Sequence, residues 1–359
     1  VAIGVKLQPQ EANIPTGAFI NLADAATRLG SNGEQLYIAE MMSQSIVILD
    51  DMPMRAATEY WGHDFGFRTS IPSGAWRQAN QGVGFMKSTT GKSRVGLGVL
   101  EAWSQIDELE MVGMDDPAEF RENEDVAFLE GMGQNVEGTF WYGNTAQTPG
   151  EFMGMSPFYN TIANAQNGAN VIDGGGTASS NASIWGIGWG QRTIYGLYPR
   201  GSKAGLTSED RGNSVPGYDA VGNPFKAYTM VFQHMIGLCP EDWRYAFRIA
   251  NLDVTTAGLA GATPPDLFAL LSKAVMLFPH MGKQTSGITK TDSPKDSAVG
   301  IRPVLYCDRT IRYWLDIQGM RGKQVLLTIN DAAGKPQDIF RGIQVKISDQ
   351  LLNTEGRVV

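Results

Sequence analysis

Several groups of residues in this 359-residue chain have types that could do chemistry. Gly196, Gly201, Ser202 and Lys203 approach the spacing of a phosphate loop, in which backbone N–H groups and a lysine cradle phosphates. That chemistry needs Lys directly after the second glycine, whereas here Ser202 intervenes and no capped helix follows. Gly154-Met155-Ser156-Pro157 lacks the second glycine that lets a nucleophile elbow present its serine. His63, His234 and His280 lie far apart, and none has a partner four residues on. His234 with Cys239 would supply two ligands where a zinc site needs three or four. Cys239 and Cys307 are the only cysteines, so there is no disulfide framework and both read as reduced thiols. Carboxylates are paired at Asp50/Asp51, Asp115/Asp116 and Glu124/Asp125. A general acid–base pair must face its substrate from opposed walls. The first two pairs instead flank helix ends, where capping accounts for them, and the third falls on the polar face of a long helix. No catalytic constellation, cofactor site or metal site follows, and we expect no enzyme.

The element that must position everything else is Asp116–Asn144. Asp116 is a good N-cap, Pro117 takes the first helical position and Glu119 completes a capping box. Phe128, Leu129, Met132, Val136 and Phe140 recur at helical spacing, and Gly143 is the stop. The spacing predicts one helix over Pro117–Tyr142, roughly 39 Å long. Gly131, Gly133 and Gly138 each cost about 1 kcal/mol against Ala, so packing rather than propensity must hold it. If Phe128 is core, its truncation to Ala costs about 3–5 kcal/mol.

Before this helix, residues 1–32 read as an extended arm with a short helical turn at Leu22–Leu29. A helical pattern through Leu36, Ala39, Ile46 and Leu49 ends at Met52-Pro53. Residues 58–104 alternate short aromatic and β-branched runs with Ser-Gly, Asn-Gln-Gly and Thr-Gly-Lys turns. This excursion has too little apolar sequence for a core of its own. Trp61, Trp76 and Trp103 argue that it lies on another surface rather than being disordered.

After the helix comes a loop region, 145–182, with a packed piece at Phe152–Tyr159. Ala182–Gly190 reads as a strand, with Thr193–Pro199 as its hairpin partner. Further strands are predicted at Phe225–Phe232 and Trp243–Leu252, all in one antiparallel sheet against the long helix. From 262 the period changes. Thr263 caps a buried helix running to Phe278, and a polar linker spans Gly282–Gly300. Arg302–Asp308 is a strand, Thr310–Gly319 a helix, and Val325–Ile329 a strand before a turn at Asn330–Gly334. Ile339–Ile347 is the last element. The fold class is α+β, with a boundary near Gly258–Ala262 and a small mixed α/β unit after it.

Composition agrees with a chain that spends its surface on partners. Charged residues are 18% and the net charge is −8, with 43 glycines and eight tryptophans. There is no basic stripe for nucleic acid and no apolar run of membrane-spanning length. No signal peptide is visible, and the start at Val1 is read as a removed Met or a trimmed precursor.

A series of short motifs then carries a resemblance. Leu49-Asp50-Asp51-Met52-Pro53 follows a helix, and Ile71-Pro72-Ser73-Gly74-Ala75-Trp76-Arg77-Gln78-Ala79-Asn80-Gln81-Gly82-Val83 contains a Pro-x-x-x-Trp-Arg-x-x-Asn-x-Gly run. Phe120-Arg121-x-x-Glu124, Tyr142-Gly143-Asn144 and Phe152-x-Gly154 bracket the long helix. Trp185-x-x-x-Trp189-Gly190, Tyr198-Pro199-Arg200-Gly201-Ser202, Arg248-Ile249-Ala250-Asn251-Leu252 and Phe340-Arg341-Gly342-Ile343-Gln344-Val345 follow in order. Over about residues 35–350 the chain resembles the major capsid proteins of tailed bacteriophages, of the short-tailed phage and prophage type.

The resemblance implies an HK97-like capsid fold with a long spine helix, an extended loop, and peripheral and axial domains. The parts would be an amino-terminal arm and helix (1–57), the extended loop (58–104), a peripheral domain (105–260) and an axial domain (261–359). The Phe-x-Gly segment near the carboxyl end implies either a permuted connectivity or a swapped assignment of the two domains. The implied function is a shell of pentamers and hexamers around double-stranded DNA, located in the virion and assembled in the host cytoplasm. Scaffold, portal and cementing proteins would be its partners, the DNA would be held without sequence specificity, and no membrane is involved. Interface and structural residues would be Trp76, Arg77 and Asn80 in the loop, Phe128, Met132 and Phe140 on the spine, and Trp185 and Trp189 in the sheet. Some relatives join a loop lysine covalently to a neighbour's asparagine, which makes Lys87 and Lys92 candidates by position. Two other functions stay open on the residues alone: a nanocompartment shell, and a hydrolase or sugar-binding module built on the aromatic sheet.

Overall fold

The computed structural model describes residues 46–112, 116–163, 166–177, 179–202, 205–213, 215–218, 222–255, 258–261, 264–279, 301–321, 327–332 and 335–359. The predicted arm, most of the helical pattern before Leu49, the Thr263 cap and the 282–300 linker lie outside them. The described helices are α1 (Ile48–Asp51), α2 (Glu108–Val112), α3 (Pro117–Tyr142), α4 (Met155–Phe158), α5 (Leu267–Val275) and α6 (Arg309–Arg321). The described strands begin with β1 (Met54–Ala56), β2 (Gly62–Ser70), β3 (Thr89–Gly96), β4 (Gly98–Asp107), β5 (Val171–Asp173), β6 (Asn181–Trp189) and β7 (Ile194–Tyr198). They continue with β8 (Leu206–Gly212), β9 (Pro216–Tyr218), β10 (Pro224–Pro240), β11 (Ala246–Asp253), β12 (Arg302–Cys307), β13 (Leu327–Ala332), β14 (Lys335–Phe340) and β15 (Ile343–Ile347).

The long helix α3 has the expected bounds, and its ends show why. Asp116 Oδ1 accepts from the N–H groups of Ala118 and Glu119 at 3.0 and 3.2 Å, satisfying donors that a helix start leaves orphaned. At the other end the Gly143 N–H donates to Thr139 O at 2.8 Å. A Cβ at Gly143 would stand 2.5 Å from the carbonyl oxygen of Phe152, so only glycine lets the returning chain pass this close.

The described residues form two compact units. One comprises parts of 101–131 and 206–233. In it β4, β8 and β9 pair with β10, and Ile106, Met111, Phe120 and Tyr228 make a small core. The other comprises parts of 44–100, 132–205 and 234–359. Its centre is a mixed sheet in which β12 lies between β6, antiparallel, and β15, parallel. Every residue of β6 is buried, because both faces are covered. On one face Val136, Phe140 and Trp141 of α3 pack against Trp185, Ile187 and Trp189, with Val304 and Tyr306. On the other, Ile184, Phe247 and Leu305 meet Leu267, Leu271 and Ala274 of α5 and Ile311 and Leu315 of α6.

Several sequence expectations change in the fold. The segment Thr193–Pro199 is not a hairpin partner of β6. The two strands share a single parallel pair, Trp189 with Ile194, and β7 instead pairs parallel with β1 and antiparallel with β10. The Thr193 hydroxyl donates to Gly188 O at 2.7 Å, closing a turn that carries the chain onward rather than back in register. Trp243–Tyr245 is a single 3-10 turn capped by Asp242, so the expected strand starts at Ala246. The cap of α5 is Asp266, whose side chain accepts from Ala269 N at 3.0 Å. Ile339–Ile347 is two strands, joined at Arg341 and Gly342, which both hold positive φ. Val304 and Leu305 pair with Ile187 and Gly186 across the sheet, so β12 and β6 lie in the same compact unit.

Candidate intersubunit surface

The 58–104 excursion is a two-stranded antiparallel ribbon, β2 with β3, paired from Gly62↔Gly96 outward to Arg68↔Thr90. Beyond Ser70 the chain runs exposed through a tip, 71–88, without regular structure. Trp76 and Phe85 are 102% and 110% exposed, and Ile71, Val83 and Met86 are also open to solvent. Large apolar side chains on a segment that buries none of them mark a surface that needs a partner. Arg77 Nη1 donates to Gln81 O at 3.4 Å, and Asn80 takes φ 61° in the turn that brings Gln81 N to Gln78 O. These contacts shape the tip while leaving the Trp76 indole outside.

The two lysines differ. Lys92 Nζ lies 2.6 Å from Asp64 Oδ2 across the ribbon, and this hydrogen bond is the main cause of the lowered Asp64 pKa. Lys87, on the tip, makes no ion pair among the described residues and is exposed. Arg94 and Glu59 form a second pair at 2.7 Å near the ribbon's root.

The root itself is a buried polar chain. His63 is 3% exposed. Its Nδ1 accepts from the Thr58 N–H at 3.2 Å, and its Nε2 lies 3.1 Å from Tyr195 Oη. Tyr195 Oη donates to Glu241 at 2.9 Å, and Arg55 Nη1 donates to Tyr195 Oη at 3.3 Å. Burial, with Arg55 next, holds the His63 pKa below its usual value.

The remaining predicted residues are placed differently from the tip. Met132 and Phe140 are buried, and so are Trp185 and Trp189. Trp189 Nε1 donates to Tyr306 Oη at 2.8 Å, and the Trp141 and Trp185 rings lie 5.6 Å apart. They are core of the sheet unit and are not exposed to a partner. Phe128 is half-buried, stacked on Phe232 with centroids 6.2 Å apart, so the cost of truncation expected for a core ring is too high. Trp61 and Trp103 are about half exposed, Trp61 edge-on to Tyr60 and Trp103 beneath Arg211. Phe85 and Ile71 were not singled out from sequence, although the missing core of 58–104 applied to every apolar residue there.

Two buried charge clusters lock the sheet unit together and were invisible in the sequence. Asp51, expected as a helix-end charge, is 5% exposed. It accepts from Arg302 at 2.9 Å, Lys346 at 2.7 Å and Tyr306 at 2.6 Å. Arg248 and Glu355 form a buried pair at 2.9 Å, with Ser183 and Tyr142 completing the carboxylate's bonds. No group of three or more metal-ligating side chains occurs among the described residues.

A helix-backed sheet that projects a two-stranded ribbon with large apolar side chains exposed at its tip fits a protein that assembles with copies of itself. The comparisons with known proteins agree. The family model described as Major capsid protein GP7 matches residues 30–359, and the chain belongs to that family. It is a structural, self-assembling protein of an icosahedral capsid shell, and its place is the virion. A chain of the bacteriophage Epsilon15 cryo-EM structure is similar at 28% identity and TM-score 0.71, with 96% of this chain and 99% of that one covered. A chain of the bacteriophage JBD30 capsid is 12% identical with TM-score 0.48, covering 89% of this chain and 97% of that one. No curated protein matches the chain. The HK97-like fold expected from the motifs is the fold observed.

Proposed function

We propose that copies of this chain join as pentamers and hexamers, each laying its 62–96 ribbon over the adjacent subunit, and that the closed shell holds double-stranded DNA. The observation that carries this reading is the tip, where Trp76 and Phe85 are fully exposed among the described residues. Moving each ring from water onto a neighbour contributes about 2–3 kcal/mol, and a symmetric shell repeats that gain at every copy. In this reading 1–57 is the amino-terminal arm and helix, 58–104 the extended loop, 105–260 the peripheral domain and 261–359 the axial domain. Scaffold, portal and cementing proteins are the proposed partners. The net charge of −8 limits adhesion of packaged DNA to the wall. If a lysine is used in a covalent link between subunits, Lys87 is the better candidate, because Lys92 is engaged by Asp64.

The test is a double variant, Trp76→Ala with Phe85→Ala, expressed beside the parent chain and its assembly partners. Its unfolding free energy should stay within about 0.5 kcal/mol of the parent, since both rings are fully exposed among the described residues. Light scattering and electron imaging should find the parent in shells and the variant arrested as small oligomers. Shells of unchanged size and yield from the variant would overturn the proposal.

A further inference from the structure

The ribbon leaves the sheet unit through one turn, and a single imidazole closes it. The Thr58 N–H can only donate, so the His63 Nδ1 facing it at 3.2 Å must be a bare acceptor. The proton of the neutral ring therefore sits on Nε2, aimed at Tyr195 Oη, which passes its own hydrogen bond to Glu241. Thr58 also serves the turn through its side chain, because Oγ1 accepts from Asp64 N at 2.9 Å. Arg200 holds the Thr58 carbonyl at 3.3 Å, and Glu59 N donates to Gly62 O at 3.0 Å. Across the ribbon the other root strand is pinned by backbone. Leu97 N donates to Trp61 O, and a Cβ on Gly237 of β10 would stand 3.0 Å from Gly96 O. One strand of the root is thus fixed by close backbone packing, and the other by a chain of hydrogen bonds that requires a neutral His63.

We propose that Thr58, His63, Tyr195 and Glu241 form a proton-sensitive latch that sets the direction in which the ribbon leaves the sheet unit. This rests on the reading of the ribbon as the assembly arm. A second proton on His63 would place Nδ1–H against the Thr58 N–H, donor facing donor, and break that hydrogen bond. The charged and titratable groups around the ring are Arg55 on β1, Asp64 on β2 (neutralised by Lys92 of β3), Tyr195 on β7, Cys239 on β10, and Glu241 just after it. Arg55 and burial oppose the cation, whereas Glu241 and Asp64 favour it, and the balance holds the latched ring below the usual histidine value. An opened root has an ordinary imidazole. The latch is therefore fully held above about pH 6.5 and weakens up to tenfold for each pH unit below it, until the latched ring itself takes the proton.

The experiment is hydrogen–deuterium exchange, read by mass spectrometry on the unassembled full chain and corrected for intrinsic exchange. Peptides covering 58–64 should exchange faster at about pH 5 than at about pH 7.5, up to a ceiling of about thirtyfold, while peptides from β6 and β12 stay protected. His63→Asn keeps an acceptor near Thr58 N–H but cannot titrate, and it should flatten that dependence. Tyr195→Phe leaves the ring in place but removes the anchor, and it should raise root exchange about tenfold at about pH 7.5. Root exchange without pH dependence in the parent chain would overturn the latch, as would unchanged dependence in His63→Asn or unchanged root protection in Tyr195→Phe. Shell formation by the parent chain is scored separately. Its failure would count against the assembly reading, while the exchange profile still decides the latch.

Discussion

Glu137, on the inner face of α3, should make the stability of this protein fall as pH rises through the slightly acidic range. Its side chain is completely buried, and Oε2 has no hydrogen-bond partner among the described residues. Oε1 accepts from the Ser348 hydroxyl at 2.5 Å, and the Val47 N–H also donates to the carboxyl group. Burial outweighs these donors and pushes the pKa up from 4.5 to about 7. The folded-state value lies above the unfolded one, so between them the native chain holds a proton that the unfolded chain has released. The protonated acid's full contribution is present below 4.5 and is lost as pH rises to about 7. At about 1.4 kcal/mol for each tenfold change in proton affinity, the loss comes to about 3 kcal/mol.

Glu137→Gln removes the ionisation while its carbonyl keeps the donors from Ser348 and Val47. Its amide puts N–H groups where an oxygen was already unpaired, costing about 1 kcal/mol. The variant should therefore be about 2 kcal/mol more stable than the parent near pH 8 and about 1 kcal/mol less stable near pH 4. Urea unfolding of the unassembled chain, followed by tryptophan fluorescence across that range, measures the difference directly. A difference that is flat with pH, or one that favours the parent at the alkaline end, would refute the reasoning.

Two further outcomes follow from burial. Arg248→Met strands the Glu355 carboxylate in the core and should cost about 3–5 kcal/mol, while adding Glu355→Leu should recover most of it; a single-variant cost below about 1 kcal/mol in chemical unfolding would mean the pair is solvated. Phe128→Ala should cost only about 1–2 kcal/mol, because the ring is half-buried, against about 2–4 kcal/mol for the buried Met132→Ala. The reverse order in thermal melts would mean that the inner face of α3 has been assigned wrongly.

What the sequence determined by itself was local. The cap at Asp116, proline at 117 and glycine at 143 set both ends of α3, because orphaned N–H groups and a close chain crossing are satisfied by neighbours in sequence. The want of a core in 58–104 was equally legible, since too few apolar residues stand between its turns, and the ordered motifs carried the family. Other features came only with the tertiary structure. Residue pattern and spacing read Ala182–Gly190 as a strand, but do not say that β12, more than 100 residues later, is its partner. They made β7 look like the return strand of a hairpin, when Thr193 turns it toward β10. Asp51 and His63 read as a helix-end charge and an isolated histidine, and Glu137 carried no signal of its own. Each is defined by groups far away in sequence: Arg302 and Lys346, Tyr195, and Ser348. A side chain's type states which bonds it must make, and only the packed chain decides which distant group makes them and whether water is left to compete.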